Sequence, residues 1–336
     1  MFGCGSWESA LALVLIGIVF GLLSHFLLRC FTRPHPKIVR TQQETTFLDP
    51  QTGKCLPFPD LIENRSYQTT KLFESVYLSV IIPAYNEDER LPIMLEETMD
   101  YLLARASKDR QFSYEVLIVD DGSRDGTSEI ALDHSKRYGA EHVRLLKLSK
   151  NHGKGGAVRL GVLSSRGERI LFADADGATQ FVDFERLEDH INQAVCPELA
   201  VAIGSRAHLE KDSIASRSMF RTILMYGFHF VVWFFTVRSV KDTQCGFKLF
   251  GRKAAILLFN SIHVEGWAFD VELLYLCECF GLEMAEIAVN WQEIEGSKIV
   301  PVFSWLAMGR DVLTISIMYA TGAWKLPDKQ ALKKNN

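Results

Sequence analysis

The chain has 336 residues, a formal net charge of −4, 23% charged residues and 48% hydrophobic residues. This composition excludes a disordered chain and a many-pass membrane protein, and the charge predicts no nucleic-acid partner. The seven cysteines show no paired CxxC spacing. We therefore expect reduced thiols, a cytosolic catalytic domain and no zinc site.

The first predicted element is an apolar helix. Residues 10–28 are almost wholly apolar, and a run of that length is close to what a bilayer core of about 30 Å requires. Basic residues follow the run and none precedes it, which places the following chain in the cytoplasm and the N-terminus in a lumen. We predict an N-terminal membrane anchor over 1–30. A cleaved signal peptide is the alternative, disfavoured by the missing leading charge.

Residues 31–75 are polar and contain several prolines, so we predict a linker or stalk there. Asn64 begins a glycosylation sequon within this stretch. In the predicted orientation the sequon does not meet the lumenal machinery and stays bare.

Strands and helices alternate from residue 76 onward. Predicted strands cover 77–83, 114–119, 143–148 and 169–172, and predicted helices cover 91–106, 127–138 and 155–165. This alternation predicts an α/β domain with a mostly parallel sheet. In such sheets ligands bind beyond the carboxyl ends of the strands, where the polar motifs of this sequence lie.

Two later stretches, 219–237 and 301–324, are apolar and aromatic. Arg221 and His229 interrupt the first, and Arg310 with its neighbour interrupts the second. Because charges inside a spanning segment are costly, we predict amphipathic helices lying at the membrane surface. Spanning helices are the alternative.

Asp174 and Asp176 follow the last of these predicted strands, with Ala175 between them. Two carboxylates at this spacing can reach one hard divalent cation such as Mg²⁺. A leaving nucleotide diphosphate needs such a cation to neutralise its charge. On its own the pattern is more typical of a solvated acidic turn.

Two glycine-containing motifs follow other predicted strands. In 120–127, Gly122 stands where a tight turn needs positive φ, and an acidic side chain there can accept a hydrogen bond from the imide N–H of uracil. A capped helix start, with Asp125 or Thr127 as the cap, explains the same residues. The loop 150–157 resembles a phosphate cradle without the P-loop ending. A donor-site role and a purely structural turn both remain open for it.

Together with 79–87 (SVIIPAYNE), these three motifs resemble the family 2 glycosyltransferases of GT-A fold, over roughly 77–300. The resemblance implies a Rossmann-like catalytic domain that uses a nucleotide sugar with inversion and depends on Mg²⁺ or Mn²⁺. It further implies a nucleotide-sugar-binding half over 76–215 and an acceptor-binding half over 216–300. An interface helix and polar tail follow over 301–336.

Downstream motifs are similar to the polyprenyl-phosphate branch of that family, and the sequences of 173–179 (ADADGAT) and 242–250 (DTQCGFKLF) favour glucosyl transfer. The resemblance implies that UDP-glucose and dolichyl phosphate are the substrates and dolichyl β-glucosyl phosphate and UDP the products. The product would supply protein N-glycosylation. This places the enzyme at the endoplasmic reticulum membrane, facing the cytosol. The sequence does not predict an oligomeric state.

The resemblance also assigns roles residue by residue. Positions that match nucleoside-binding residues are Pro83, Tyr85, Glu87, Val119 and Asp121. Asp174 and Asp176 match the metal and pyrophosphate positions, and Ala175 and Lys154 join the predicted donor site. Relatives often carry a further metal ligand, Gln, where this chain has Ala178, so the third ligand stays open.

The predicted mechanism follows from charge. The acceptor phosphate is anionic at neutral pH, so no strong general base is needed, and cationic side chains gather the two phosphorylated substrates. The candidates for this are Arg206, Arg217 and Lys298. Candidates to orient sugar or acceptor are Asp242, Gln244, Asp270 and Glu272. For the last two, a helix N-terminal turn that complements the macrodipole is the alternative.

Three other functions are weighed against this one. A related enzyme could use GDP-mannose or a bacterial-type polyprenyl acceptor. A processive polysaccharide synthase is disfavoured because the chain has no Gln-x-x-Arg-Trp motif and does not have several spanning segments. A catalytically silent membrane scaffold is disfavoured by the intact pair Asp174 and Asp176.

Overall fold

The computed structural model describes residues 5–31, 40–61, 74–209, 219–296 and 303–326. The strands are β1 Thr46–Asp49, β2 Lys54–Pro57, β3 Val76–Ala84, β4 Tyr114–Asp120, β5 Val143–Lys147, β6 Gly167–Ala173, β7 Val201–Ser205, β8 Phe247–Gly251 and β9 Met284–Ala288. The helices are α1 Gly5–Phe31, α2 Leu91–Lys108, α3 Thr127–Tyr138, α4 Lys154–Leu163, α5 Phe184–Gln193, α6 Met219–Phe235, α7 Arg252–Ser261, α8 Phe269–Phe280 and α9 Phe303–Ala320. The predicted strands and helices between 76 and 173 are confirmed to within a few residues.

The central sheet has seven strands in the order β5-β4-β3-β6-β8-β7-β9. Strand β8 runs antiparallel to its neighbours β6 and β7, and the other pairs are parallel. This is a GT-A-like α/β fold, as predicted. The chain leaves β3 toward β4 on one side and returns as β6 on the other, and this reversal opens a crevice at the carboxyl ends of the three strands.

The hydrophobic core lies on both faces of this sheet. Because side chains alternate along a strand, Leu78, Val80 and Ile82 of β3 pack with α2, α3 and α5, whereas Ile81 packs with α4, α7 and α8. Helix α4 can lie close to the sheet because Gly161 has no side chain. A Cβ at this position would stand 2.5 Å from Ile81. Both faces are therefore buried, which explains the nearly continuous apolar runs of the parallel strands.

The stretch predicted as a linker is partly structured. Within 40–61 a short 3₁₀ turn leads into the antiparallel hairpin β1–β2. Its Phe47 and Phe58 are buried with ring centroids 5.0 Å apart, and the guanidinium of Arg144 lies 5.0 Å from the Phe47 ring centre. The strands are too short to produce a readable periodicity in the sequence. The sequon at Asn64 lies outside the described residues.

Helices α1, α6 and α9 carry exposed apolar side chains. Phe20 of α1 is 71% exposed, Phe230 and Trp233 of α6 are 60% and 54% exposed, and Leu306 of α9 is 68% exposed. A helix does form over the N-terminal apolar run. Across the part of the chain that the structure describes, however, no helix combines the length and apolarity needed to cross a membrane, so the predicted spanning helix is not supported.

Candidate active site

A pair of carboxylates, Asp174 and Asp176, lies just beyond the carboxyl end of β6. Their side chains are 32% and 29% exposed. The backbone N–H of Asp174 donates to the carbonyl of Gly246 over 3.0 Å. A Cβ at Gly246 would lie 1.9 Å from the Asp174 carboxylate, so only glycine leaves this side chain its space. The loop before β8 therefore shapes the site of the pair.

Lys154, from the Gly-rich loop, contacts this pair. Its ammonium lies 2.7 Å and 2.9 Å from the two carboxylate oxygens of Asp174, and 5.7 Å from the ring centre of Trp267. Burial alone would lower the pKa of Lys154, but the charges of Asp174 and Asp270 outweigh it and raise that pKa. Lys154 thus stays cationic and joins the loop after β5 to the carboxylates after β6.

The environment of Asp176 fits a divalent cation. Burial is the main cause that raises the pKa of Asp176, and the charge of Asp174 adds to it, against the opposing charges of Arg90 and Lys154. Asp176 accepts a hydrogen bond from the backbone N–H of Ala178 over 3.0 Å, and Ala178 supplies no side-chain ligand. No cluster of three or more His, Cys, Asp or Glu ligands exists among the described residues. The two carboxylates would leave the remaining positions to donor phosphates and water, as Mg²⁺ commonly requires.

Asp121 and the Gly-rich loop, two separate motifs in the sequence, form one unit. The Asp121 carboxylate accepts hydrogen bonds from the backbone N–H of His152 over 2.6 Å and of Gly153 over 2.9 Å. Gly153 has φ +82°, and a Cβ there would stand 2.7 Å from the carbonyl oxygen of Glu265. Burial raises the pKa of Asp121 to about 7, against the two backbone hydrogen bonds.

The other predicted nucleoside residues line the ends of β3 and β4. Pro83 lies opposite Val119 in the sheet, and the Val119 side chain is fully buried. Tyr85 is 37% exposed beside them. Glu87 receives two 2.7 Å hydrogen bonds from the guanidinium of Arg90, a residue that the sequence analysis did not single out.

Arg90 also connects this edge to other parts of the site. It lies 4.0 Å from Asp176 and donates to the carbonyl of Glu295 over 3.3 Å. Asn86, Glu87, Arg90, Arg124 and Glu295 are among the residues lining an open cleft of about 620 Å³. Arg217 and Lys298, predicted to hold phosphates, lie outside the described residues.

Arg206 is held by Asp242. Its Nε and one terminal nitrogen donate to the two carboxylate oxygens over 2.7 and 2.8 Å. Burial opposes the charged form of both groups, but the ion pair prevails, raising the pKa of Arg206 and lowering that of Asp242. The Arg206 guanidinium lies 5.4 Å from the ring centre of Trp291. Nearby, the side-chain nitrogen of Gln244 is buried without a hydrogen-bond partner among the described residues.

Asp270 and Glu272 lie in the first turn of α8 and have different partners. Asp270 is paired over 2.7 Å with Lys248, which is fully buried. Burial raises the pKa of Asp270 although Lys248 opposes this. Lys248 was not among the site residues predicted from the sequence, although a lysine within the apolar strand β8 was a usable signal.

Glu272 is fully buried and binds structural partners. It accepts hydrogen bonds from the backbone N–H groups of His263 and Val264 over 2.9 and 2.7 Å, and from the Tyr319 hydroxyl over 2.8 Å. It therefore joins α8 to the preceding loop and to α9. These contacts favour a structural role for Glu272 over the predicted role in orienting substrate.

Comparison with known proteins gives the family. The sequence profile of glycosyl transferase family 2 matches residues 79–259. A dolichyl-phosphate beta-glucosyltransferase of Drosophila melanogaster is 55% identical over 306 residues, covering 90% of this chain and 91% of the relative. A Homo sapiens protein of the same name is 51% identical over 335 residues, covering 98% and 97%. The chain therefore belongs to glycosyl transferase family 2, in the branch of the dolichyl-phosphate beta-glucosyltransferases.

A solved structure shares the fold. Glucosyl-3-phosphoglycerate synthase from Mycobacterium tuberculosis, in complex with phosphoglyceric acid, superimposes with a TM-score of 0.50 at 17% identity. The alignment covers 81% of this chain and 90% of that chain. Identity this low supports the fold assignment and nothing further.

Proposed function

We propose that this protein transfers glucose from UDP-glucose to dolichyl phosphate, forming dolichyl β-D-glucosyl phosphate and UDP. The observation that carries the proposal is the identity of 55% and 51% with two dolichyl-phosphate beta-glucosyltransferases across at least 90% of both chains. The product would supply lipid-linked glucose for protein N-glycosylation.

The donor would lie in the crevice at the ends of β3, β4 and β6. In this proposal Asp121 and Glu87 would contact the nucleoside, and Lys154, which pairs with Asp174, would contact the diphosphate. Asp174 and Asp176 would hold Mg²⁺ or Mn²⁺, and such an ion would neutralise charge on the departing diphosphate. The side chains of Asp174 and Asp176 are 32% and 29% exposed, so both carboxylates are accessible to such a cation.

The chemical step requires positioning more than proton transfer. A phosphate oxygen of the acceptor, already anionic, attacks the anomeric carbon. The new carbon–oxygen bond forms as the bond to UDP breaks on the opposite face, so an α donor gives a β product. Arg206, oriented by Asp242, presents a planar fork suited to phosphate oxygens. Proximity and charge stabilisation supply most of the rate.

The acceptor lipid implies a membrane surface near the site. The exposed aromatic and aliphatic side chains of α6 and α9 form an apolar surface suited to the headgroup region of a bilayer. We assign the protein to the endoplasmic reticulum membrane with its catalytic domain facing the cytosol. In that orientation Asn64 remains unglycosylated, so treatment with an endoglycosidase leaves the electrophoretic mobility of the cellular protein unchanged. A change in mobility would show that Asn64 faces the lumen and would contradict this orientation.

The decisive experiment measures transfer of labelled glucose from UDP-glucose into the lipid phase by the purified full chain. Wild type is compared, with Mg²⁺ and with a chelator, to Asp176→Asn and to the control Asp189→Asn on the exposed face of α5. We expect metal-dependent product from wild type and the control, and at least about a hundredfold less from Asp176→Asn.

The alternatives give other results. Product from GDP-mannose but not from UDP-glucose would keep the class of enzyme and overturn the glucosyl assignment. No product from any nucleotide sugar would favour the catalytically silent scaffold.

A further inference from the structure

Glu44, in the segment that follows α1, reaches the donor side of the catalytic domain. It is 1% exposed, whereas its neighbours Gln42 and Gln43 are exposed. One carboxylate oxygen accepts hydrogen bonds from the backbone N–H and the hydroxyl of Ser149, over 2.8 and 2.7 Å. The other accepts the backbone N–H of Thr41 over 2.8 Å. The buried carboxylate is thus fully engaged on both oxygens.

The charge of Glu44 is maintained by these contacts. Burial alone would raise the pKa of Glu44, but the hydrogen bonds from Ser149 and Thr41 outweigh it and lower that pKa. Hydrogen bonds to an ionised acceptor are stronger than those between neutral groups. The link to Ser149 is therefore one of the stronger polar contacts that the segment makes.

Ser149 directly precedes the Gly-rich loop. Within that loop the Nε2 atom of His152 is buried without a hydrogen-bond partner among the described residues, 3.9 Å from the nearest Glu44 oxygen. The backbone of His152 donates to Asp121, and the side chain of Lys154 contacts Asp174. The loop is thus held at its start by Glu44, through Ser149, and further along by two predicted donor-site carboxylates, Asp121 and Asp174.

The hairpin β1–β2 keeps Glu44 in place. The backbone N–H of Phe58 donates to the carbonyl of Thr45 over 2.8 Å, and Phe47 packs on Phe58 and on Arg144 of β5. Glu44 therefore sits on an ordered support attached to the edge strand of the central sheet.

We propose that Glu44 is a positioning residue for the nucleotide-sugar donor. Glu44 binds Ser149 and lies beside His152, and these contacts set the conformation of the Gly-rich loop. That loop in turn positions Lys154 against Asp174 and two backbone N–H groups against Asp121. The inference rests on the proposed use of a nucleotide-sugar donor. It makes the segment between α1 and the catalytic domain part of the donor site, although it contacts no reacting atom.

The test uses the full chain in lipid nanodiscs and separates the two substrates. In Glu44→Ala we expect the KM for UDP-glucose and the dissociation constant for UDP to rise about tenfold, because charge-assisted hydrogen bonds that order the donor loop are lost. The KM for dolichyl phosphate and kcat stay within about twofold of wild type, since the loss affects donor binding. Glu44→Gln, which keeps an acceptor oxygen for Ser149, gives an intermediate rise.

Asp49→Ala is the matched control. Asp49 belongs to the same hairpin, and its carboxylate accepts hydrogen bonds from Gln51 and Thr52 within the exposed turn. Its removal disturbs the hairpin locally, so the KM for UDP-glucose stays within about twofold of wild type. An equal rise in Asp49→Ala would assign the effect to hairpin stability and overturn the role of Glu44.

If Glu44→Ala does not fold, Ser149→Ala provides the second variant, because it removes one of the two hydrogen bonds and keeps the other. We expect a two- to threefold rise in the KM for UDP-glucose, about what one such bond contributes. Unchanged donor constants in a folded Glu44 or Ser149 variant, or equal rises for both substrates, would overturn the inference. Failure of the proposed function looks different, because wild type itself would then neither bind UDP nor transfer glucose.

Discussion

The ammonium nitrogen of Lys154 lies 2.7 Å from one carboxylate oxygen of Asp174 and 2.9 Å from the other. This contact joins the loop after β5 to the end of β6, across the crevice in which the donor is proposed to bind. An internal cation thereby compensates part of the charge of the carboxylate pair, and Asp176 keeps a raised pKa beside it.

Replacing Lys154 removes this cation. We expect Lys154→Met to lower the transfer rate about a hundredfold, because a positive charge beside the departing diphosphate stabilises the transition state. The measurement is initial-rate transfer of labelled glucose. The control is Lys150→Met, which removes an exposed lysine of the same loop. A Lys154 variant with more than a third of wild-type activity would contradict a role at the diphosphate.

Gly246 leaves the space that the Asp174 carboxylate occupies. A Cβ at this position would lie 1.9 Å from a carboxylate oxygen of Asp174, so Gly246→Ala displaces that carboxylate. We expect transfer to fall about a hundredfold and Mn²⁺ affinity, followed by electron paramagnetic resonance, to weaken, since one carboxylate ligand is misplaced. Gly309→Ala in α9, where a Cβ meets nothing within 4 Å, is the control and keeps both. Unchanged Mn²⁺ binding in Gly246→Ala would argue against Asp174 as a ligand.

The raised pKa of Asp121 predicts that the stability of the protein depends on pH. Its pKa rises from 3.8 to about 7 on folding, chiefly through burial. Between these values the folded state binds the proton more tightly than the unfolded state, so the contribution of Asp121 to the free energy of unfolding falls as pH rises toward 7. We expect the free energy of unfolding of Asp121→Asn, taken relative to that of wild type, to be about 2 kcal/mol higher at pH 8 than at pH 5.

Chemical unfolding at the two pH values measures this difference. Asp100→Asn, which alters an exposed carboxylate of α2, is the control and shows no comparable change. A stability difference between Asp121→Asn and wild type that does not vary with pH would mean that Asp121 ionises as in the unfolded chain.

Glu272 is expected to affect stability and not substrate binding. Its carboxylate accepts hydrogen bonds from His263, Val264 and Tyr319, and an amide would direct an N–H₂ group at some of these donors. We expect Glu272→Gln to lower the free energy of unfolding by about 2–4 kcal/mol. Tyr319→Phe, which removes one partner, lowers it by about 1 kcal/mol.

Kinetics distinguish this role from the one predicted from the sequence. At a temperature where Glu272→Gln is folded, the KM values for both substrates match those of wild type. A selective rise in the KM for dolichyl phosphate would restore Glu272 as a residue that orients the acceptor.

Local patterns were enough to locate most of the catalytic domain. Apolar runs that end in polar residues identified β3, β4 and β6, because strands buried on both faces leave a continuous apolar signal. The same runs placed Asp121 and Asp174 at the carboxyl edge of the sheet. Glycine at 122 was predicted to need positive φ, and the structure gives it +76°. The hairpin β1–β2 and the antiparallel strand β8 escaped the sequence analysis, because short strands outside the regular alternation carry little periodicity.

Partner choice was decided by the tertiary structure. Lys154 was predicted at the donor site, but its contact with Asp174 arises because β5 and β6 end at the same edge of the sheet. Glu44 meets Ser149 across 105 positions of sequence, and Asp242 neutralises Arg206 across 36. Spacing along a chain predicts which side chains share an element and a face. Which charges end up paired depends on strand order and burial, and those are set only when the whole sheet and its core have assembled.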